Sequence, residues 1–334
     1  MDYEPPFMKT YSDLFGESEQ VNIPLVVDTC RNNNDKFCEV PLIDLGKLNV
    51  EKGIREAATK WGFFQVVNHG IPQDVLESLM REQMIKVFHR PFATKCEQHF
   101  VNNLSASSSS GYRWGNPSAT SLLQVSWSEA YHVFLPDLTS MDHDTPLRSS
   151  LKCFATKAGS LAERLAEILG EEVKMKSGYF RENCFPNTSF MRLNRYPVCP
   201  VPSKVLGFLP HSDSSFLTIV YQDNVGGLQL LKDGKWCVIK PNPQALLVNV
   251  GDLFQAASNG VYKSIKHRVL AAEKEERYSV AYFYSPSYDT MIESHGVGDS
   301  ASLYRKFSFR EYKQQSDKDV KELGDKVGLS RFLL

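Results

Sequence analysis

The chain has 334 residues, a formal net charge of −1 and a sequence isoelectric point near 6.7. That balance supplies no global field for nucleic acid or an anionic membrane, and no apolar run approaches the ~20 residues of a spanning helix. Seven dispersed cysteines, Cys30, Cys38, Cys96, Cys153, Cys184, Cys199 and Cys237, form no Cys-x-x-Cys pair; with an acidic, signal-free start they predict reduced thiols, no zinc site, and the cytosol with the nucleus accessible.

In chain order, residues 1–38 read as an N-terminal extension and 39–185 as a helical region. Val75, Leu76, Leu79, Met80, Met84, Val87 and Phe88 recur at three and four, as on one helix face. Leu147, Leu151, Phe154, Ala158, Leu161, Leu165, Ile168 and Leu169 do the same, and Gly170 is expected to end that run. Both stripes read as core packing rather than cofactor contacts. Between them, residues 105–110 are low-complexity and serine-rich, a surface loop or a lid leading into Tyr112-Arg113-Trp114.

Residues 186–290 read as short strands. Phe208-Leu-Pro210 leads into His211, and Phe216 to Tyr221 is β-branched and aromatic. Leu228 to Leu231 and Trp236 to Ile239 flank Lys232-Asp-Gly-Lys235, where Asp-Gly supplies the positive φ of a hairpin turn. Ala245 to Val250, Ser264 to Leu270 and Tyr278 to Tyr284 complete the set, with Ser258-Asn-Gly260 as a turn. The expected class is α+β with a mainly β core, a double-stranded β-helix (jelly roll) wrapped by N-terminal and C-terminal helices. Residues 291–334 form the C-terminal helical segment, helix-prone from 308 to 323, with Phe332 packing back. No repeat or flexible linker divides the chain, so one compact unit is expected, as a monomer.

The chemistry concentrates in His211-Ser-Asp213, His267 and Arg277-Tyr-Ser279. Two neutral imidazoles and one carboxylate can take three sites on one face of a ferrous ion, leaving three open for a chelating co-substrate and dioxygen. With 8 histidines and 18 aspartates, a chance His-x-Asp is expected roughly 0.4 times, so order and strand context carry the specificity. A lone histidine beside a strand is most often a hydrogen-bonded structural group, and His69, His89, His99, His132, His143 and His295 are read that way. Arg277 sits inside an apolar strand, where a buried guanidinium needs a partner. A carboxylate held in two-pronged geometry fits best, with an internal salt bridge as the alternative. Ser279, two residues on, shares its sheet face.

Asn194-Arg-Tyr196-Pro-Val-Cys-Pro200, His211-Ser-Asp213, Gly226-Gly-Leu-Gln229, Val248-Asn-Val-Gly-Asp252, Ser258-Asn-Gly260, His267-Arg-Val269 and Arg277-Tyr-Ser279 resemble the plant iron- and 2-oxoglutarate-dependent dioxygenases. Val40-Pro-Leu-Ile-Asp44 and the block Trp61 to Pro72 match as well. Within that family, Gly111 to Gly115, Ser126 to Ala130, Phe307 to Tyr312 and Lys326 to Phe332 are similar to gibberellin 2-oxidases of the group acting on C20 gibberellins. The resemblance implies His211, Asp213 and His267 as Fe(II) ligands. It implies Arg277, the candidate catalytic residue, with Ser279 and Tyr196 on the distal carboxylate of 2-oxoglutarate. Where the family often has two prolines after the tyrosine, this chain has Pro197-Val198-Cys199, a turn element rather than a ligand.

The implied reaction consumes O2 and 2-oxoglutarate, with ascorbate as reductant, and hydroxylates C2 of a gibberellin while releasing succinate. A rigid apolar diterpenoid acid calls for aromatic walls and a cation, so Tyr112, Arg113, Trp114, Trp127 and Tyr131 are the expected substrate contacts. A sibling dioxygenase oxidising another position, another hormone or a phenylpropanoid is the alternative. A catalytically idle hormone-binding protein is the more distant one.

Overall fold

Strands form where β-branched and aromatic side chains fill pleated, half-buried positions. In the N-terminal half these are β1 (Phe37–Cys38), β2 (Leu42–Asp44), β3 (Phe63–Val67), β4 (Gly111–Trp114) and β5 (Glu129–Phe134). Then follow β6 (Phe190–Tyr196), β7 (Leu206–His211), β8 (Leu217–Gln222), β9 (Leu228–Lys232) and β10 (Lys235–Ile239). β11 (Leu246–Val250), β12 (His267–Leu270) and β13 (Arg277–Tyr284) complete the two main sheets. The computed structural model describes residues 2–17, 37–97, 111–139, 146–185, 188–295 and 301–334. The serine-rich segment 105–110, Cys30, His99 and His143 lie outside the described residues.

One sheet runs β1-β10-β9-β12-β7 and the other β2-β3-β11-β8-β13-β6-β5-β4. Between them lies an apolar layer that includes Phe63, Tyr196 and Leu247 from the larger sheet and Leu228, Leu230 and Val269 from the smaller. The larger sheet turns its other face to the helices. In β13, Tyr278, Val280, Tyr282 and Tyr284 enter that helix-side core, so Arg277 and Ser279 point the opposite way. The β9–β10 hairpin turns at Asp233 and Gly234, with φ of 50° and 75°, as the Asp-Gly pair predicts. Gly207 in β7 has no room for a side chain, since a Cβ there would lie 2.7 Å from the Leu270 carbonyl oxygen and 2.9 Å from the Tyr196 ring.

The helix-side core takes in Ile54 from Glu51–Trp61 and the segment Gln73 to Phe88, which has one π-helical turn over Leu79–Gln83. It also takes in Leu151, Phe154, Leu161, Leu165 and Leu169 from the helix Pro146–Glu172. That helix ends at Glu172, within the expected Gly170-Glu-Glu stretch. A Cβ at Gly170 would lie 2.9 Å from the Phe180 ring, so the glycine serves close packing rather than termination. The C-terminal helix Phe309–Leu323 is capped by Ser308 Oγ, which accepts from the Glu311 N–H at 3.1 Å. Phe307, Tyr312 and Phe332 join the same core, which ties the C-terminal segment to this interior.

Two expectations need correction. The region 39–185 is not only a helical jacket, because β2 to β5 within it extend the larger sheet on both edges. Their period-two alternation is short and was outweighed by the long helical stripes around it. The cysteines are not all free: Cys38 and Cys237 form a disulfide, their Cα atoms 5.6 Å apart on the adjacent strands β1 and β10.

Candidate active site

β7 ends at His211 and β12 begins at His267, and the antiparallel register makes them cross-strand partners. Asp213 follows β7 after one residue. Its Oδ1 lies 3.6 Å from His211 Nε2 and 3.7 Å from His267 Nε2. All the candidate ligand atoms lie within 4.8 Å of one another, a spacing suited to three donors on one face of an ion.

The surrounding hydrogen bonds aim these atoms. His211 Nδ1 donates to the Leu209 carbonyl at 2.8 Å and His267 Nδ1 to the Ile265 carbonyl at 3.1 Å. Each bond commits the proton to Nδ1 and leaves the Nε2 lone pair free. Asp213 Oδ2 accepts from Thr218 Oγ1 at 2.6 Å and Asn249 Nδ2 at 2.8 Å, which leaves Oδ1 for a metal. Burial, then the adjacent His267, hold His211 well below the ordinary imidazole range. Burial pushes the Asp213 carboxyl up, but His267, His211 and the two hydrogen bonds bring it below the usual range. A neutral imidazole and an ionised carboxylate are the forms that bind a cation. This donor set therefore fits a ferrous ion.

Deeper between the sheets, Arg277 is only 2% exposed. Its Nη2 donates to Gln222 Oε1 at 2.7 Å and its Nη1 to Ser279 Oγ at 3.5 Å. Asn194 Nδ2 donates to the same Ser279 oxygen at 3.3 Å, and the guanidinium stands 4.7 Å from the centre of the Tyr196 ring. Arg277 Nε has no acceptor, and among the described residues no carboxylate lies within ion-pair reach. A buried cation with an orphaned N–H is costly alone. It fits the far carboxylate of a dicarboxylic acid whose other end reaches the histidines. Thus the structure gathers His211, Asp213 and His267 in one cluster and Arg277, Ser279 and Tyr196 in another.

Four partners escaped the sequence reading: Thr218, Asn249, Gln222 and Asn194. Each is a polar residue at an inward position of a sheet strand, in β8 and β11 among mostly apolar neighbours and in β6 beside Arg192 and Arg195. That irregularity was the available signal.

The expected substrate contacts divide by strand parity. Tyr112 pairs with Tyr131 and Trp114 with Glu129, on the sheet face turned away from the metal. Tyr112 donates its hydroxyl proton to Glu129, and Trp114 packs edge-on to Phe7 and Phe92. Trp127 stacks on Phe7, with centroids 4.4 Å apart. Only Arg113 takes the metal-side face, in the row of Ala130 and Asn194. Beside it the structure sets residues that sequence reasoning missed. Phe190 stacks on His132 at 4.2 Å and on Phe283 at 4.4 Å. Arg192 lies 4.6 Å over the Phe208 ring, and that ring meets His211 edge-on at 4.6 Å. Among the described residues neither Arg113 nor Arg192 has an ion pair. Burial, then Arg192 and Arg113, push His132 down to about 3, so it adds no charge to this aromatic shelf.

Residues 187–286 match the model of the 2OG-Fe(II) oxygenase superfamily, and residues 40–150 match that of the non-haem dioxygenase in morphine synthesis N-terminal domain. Gibberellin 2-beta-dioxygenase 8 of Arabidopsis thaliana is 47% identical, over 99% of this chain and 98% of its own. Gibberellin 2-beta-dioxygenase 5 of Oryza sativa subsp. japonica is 43% identical, over 98% of this chain and 96% of its own. A crystal structure of JOX2 in complex with 2OG, Fe and JA superposes with a TM-score of 0.75 at 28% identity, covering 94% of this chain and 98% of that one. No helix among the described residues is long and apolar enough to cross a membrane.

Proposed function

This chain belongs to the 2OG-Fe(II) oxygenase superfamily, and from that premise we propose that it hydroxylates gibberellins at C2. His211 and His267 would hold the iron through Nε2 and Asp213 through Oδ1, while Arg277, Ser279 and Tyr196 would hold the distal carboxylate of 2-oxoglutarate. When bound, iron and keto acid supply the oxidation: O2 is consumed, 2-oxoglutarate becomes succinate and carbon dioxide, and one oxygen atom enters a C–H bond of the substrate. No protein nucleophile is needed, and this chain's contribution is to orient the target carbon and keep competing water away.

The observation that carries the oxygenase reading is the under-partnered Arg277, with its orphaned Nε–H, behind a metal-ready triad. The gibberellin reading draws on relatives 41–47% identical over most of the chain. The aromatic shelf with Arg192 and Arg113 supports it, since a rigid diterpenoid acid presents an apolar body and a carboxylate. C20 gibberellins keep free a carboxylate that C19 members close into a lactone, and two guanidiniums without an ion pair among the described residues suit the second anion. Arg113 enters as a contact. Tyr112, Trp114, Trp127 and Tyr131 enter as the packing that supports β4 and β5 from behind. The enzyme acts as a monomer with ascorbate keeping its iron ferrous.

Incubation with Fe(II), 2-oxoglutarate, ascorbate and a panel of C19 and C20 gibberellins tests this by product mass and position. A C2-hydroxylated C20 product is expected, and Arg192→Met should raise KM for it about 10–100-fold. Consumption of a different acid, with every gibberellin untouched, would overturn the substrate assignment.

A further inference from the structure

The loop that carries Asp213 is held by the far end of the chain. Lys326 Nζ donates to the Ser212 carbonyl at 2.6 Å, to Ser214 Oγ at 3.3 Å and to Asp252 Oδ2 at 2.8 Å. The same Asp252 oxygen accepts from Ser212 Oγ at 3.0 Å and from the Tyr312 hydroxyl. From the other side, the Asp252 backbone N–H donates to the Asp213 carbonyl at 2.8 Å. Consecutive carbonyls of the ligand loop, at Ser212 and Asp213, are thus pinned to one buried aspartate and one lysine.

The pieces come from three distant stretches. Asp252 opens the short helix Asp252–Ala257 that follows β11, and Tyr312 lies in the C-terminal helix. Lys326 follows Gly324, which ends that helix in the left-handed conformation, φ 76°. Its side chain is 15% exposed and the Asp252 carboxylate 5%, so this pair is far less screened than a surface ion pair. A lysine is suited to the position because three separately placed acceptors surround its ammonium, which a planar guanidinium cannot satisfy together.

We propose that Lys326 is a positioning residue of the metal centre, acting with Asp252 to fix the 212–214 loop so that Asp213 Oδ1 meets the ion. This rests on the reading of His211, Asp213 and His267 as the iron ligands. The ammonium touches no ligand atom. Its positioning influence passes through the loop backbone, as outer-shell partners set the geometry of metal ligands elsewhere, alongside a lesser direct electrostatic effect of its charge on His211.

Anaerobic Fe(II) titration of chelator-treated, full-length protein gives the decisive measurement, with Co(II) absorption spectra as a report on ligand geometry. Lys326→Met should weaken Fe(II) binding about 10–100-fold and alter the Co(II) bands, with Lys326→Arg restoring the affinity only in part. Asp252→Asn should weaken binding similarly, and the double variant should be no worse than the poorer single, because the two act as one unit. An unchanged Fe(II) affinity in folded Lys326→Met, with only its melting temperature lowered, means a purely structural clamp and overturns the proposal. If Lys326→Met does not fold, Lys326→Gln decides between the same two results. Asp213→Ala is the separating control: retained Fe(II) binding there refutes the ligand assignment itself, whatever Lys326 does.

Discussion

Two buried arginines on neighbouring strands show how one sheet serves two purposes. Arg195 in β6 and Arg277 in β13 are 0% and 2% exposed, and they point to opposite faces of the same sheet. Arg195, on the helix side, is surrounded by acids: Glu129 at 2.5 Å, Glu4 at 2.6 Å, and Glu276, which accepts from its Nε at 3.2 Å. Lys95 joins through Glu129, at 2.5 Å. Arg277, on the metal side, has an amide and a hydroxyl as acceptors and one N–H with nothing. A guanidinium that is saturated internally has no capacity left for a ligand. One that is buried and under-partnered is unstable until an anion arrives, and that free-energy deficit is available for binding.

The comparison breaks most visibly through the arginines themselves. Arg277→Met should reduce kcat/KM for 2-oxoglutarate about 10³-fold, as expected when a buried charge-assisted contact is lost. The same variant should cost much less stability than loss of Arg195, because Arg277 is held only by an amide, a hydroxyl and the more distant charge of Asp223. Arg195→Met should do the reverse. It strands carboxylates in the interior, so urea unfolding should show a loss of about 3–5 kcal/mol, while 2-oxoglutarate turnover per folded molecule is retained. If both variants lose stability equally and neither loses affinity for the keto acid, the distinction between the two arginines is wrong.

A smaller effect sharpens it. Thr218 and Asn249 satisfy one oxygen of Asp213 and so leave the other for the proposed metal. Asn249→Ala should weaken Fe(II) binding about 10-fold by titration, with the keto-acid site intact. An unchanged iron affinity would mean that Asp213 needs no such orientation.

The difference between these regions also explains what could be read in advance. His211, Asp213, His267 and Arg277 are recognisable because their residue types are scarce in apolar strands and their order along the chain is specific. The supporting shell is less legible. Thr218, Gln222 and Asn249 are ordinary residues until strand parity shows that they point at the metal side. Parity also decides the substrate wall. By residue type Tyr112 and Trp114 are the natural contacts, yet their β4 register with β5 turns them away and brings Arg113 inward. A one-residue difference in register inverts that answer, and nothing local in Gly111 to Trp114 fixes it. Cys38 and Cys237 are 199 positions apart, and only the parallel pairing of β1 with β10 makes them neighbours. The acids around Arg195 are likewise scattered, from Glu4 to Glu276.

The acidic cluster offers the mildest test, through pH. Burial pushes the Glu276 carboxyl up, but hydrogen bonds from Arg195, Tyr278 and His89 bring it down to about 2 from an ordinary 4.5. A carboxylate depressed in the folded state stabilises that state above its unfolded pKa. The contribution is lost as pH falls through the folded value, here between about pH 4.5 and 2. Glu276→Gln should therefore be less stable than the wild type at pH 6 by on the order of 1–2 kcal/mol, allowing for partial solvent screening. That gap should close as the pH approaches 2, because protonation then removes the same charge from the wild type. Circular-dichroism unfolding curves from pH 6 down to 2.5 measure it directly. A gap that stays constant across that range would mean that Glu276 acts through packing alone, and that the charge on Arg195 is already balanced by Glu4 and Glu129.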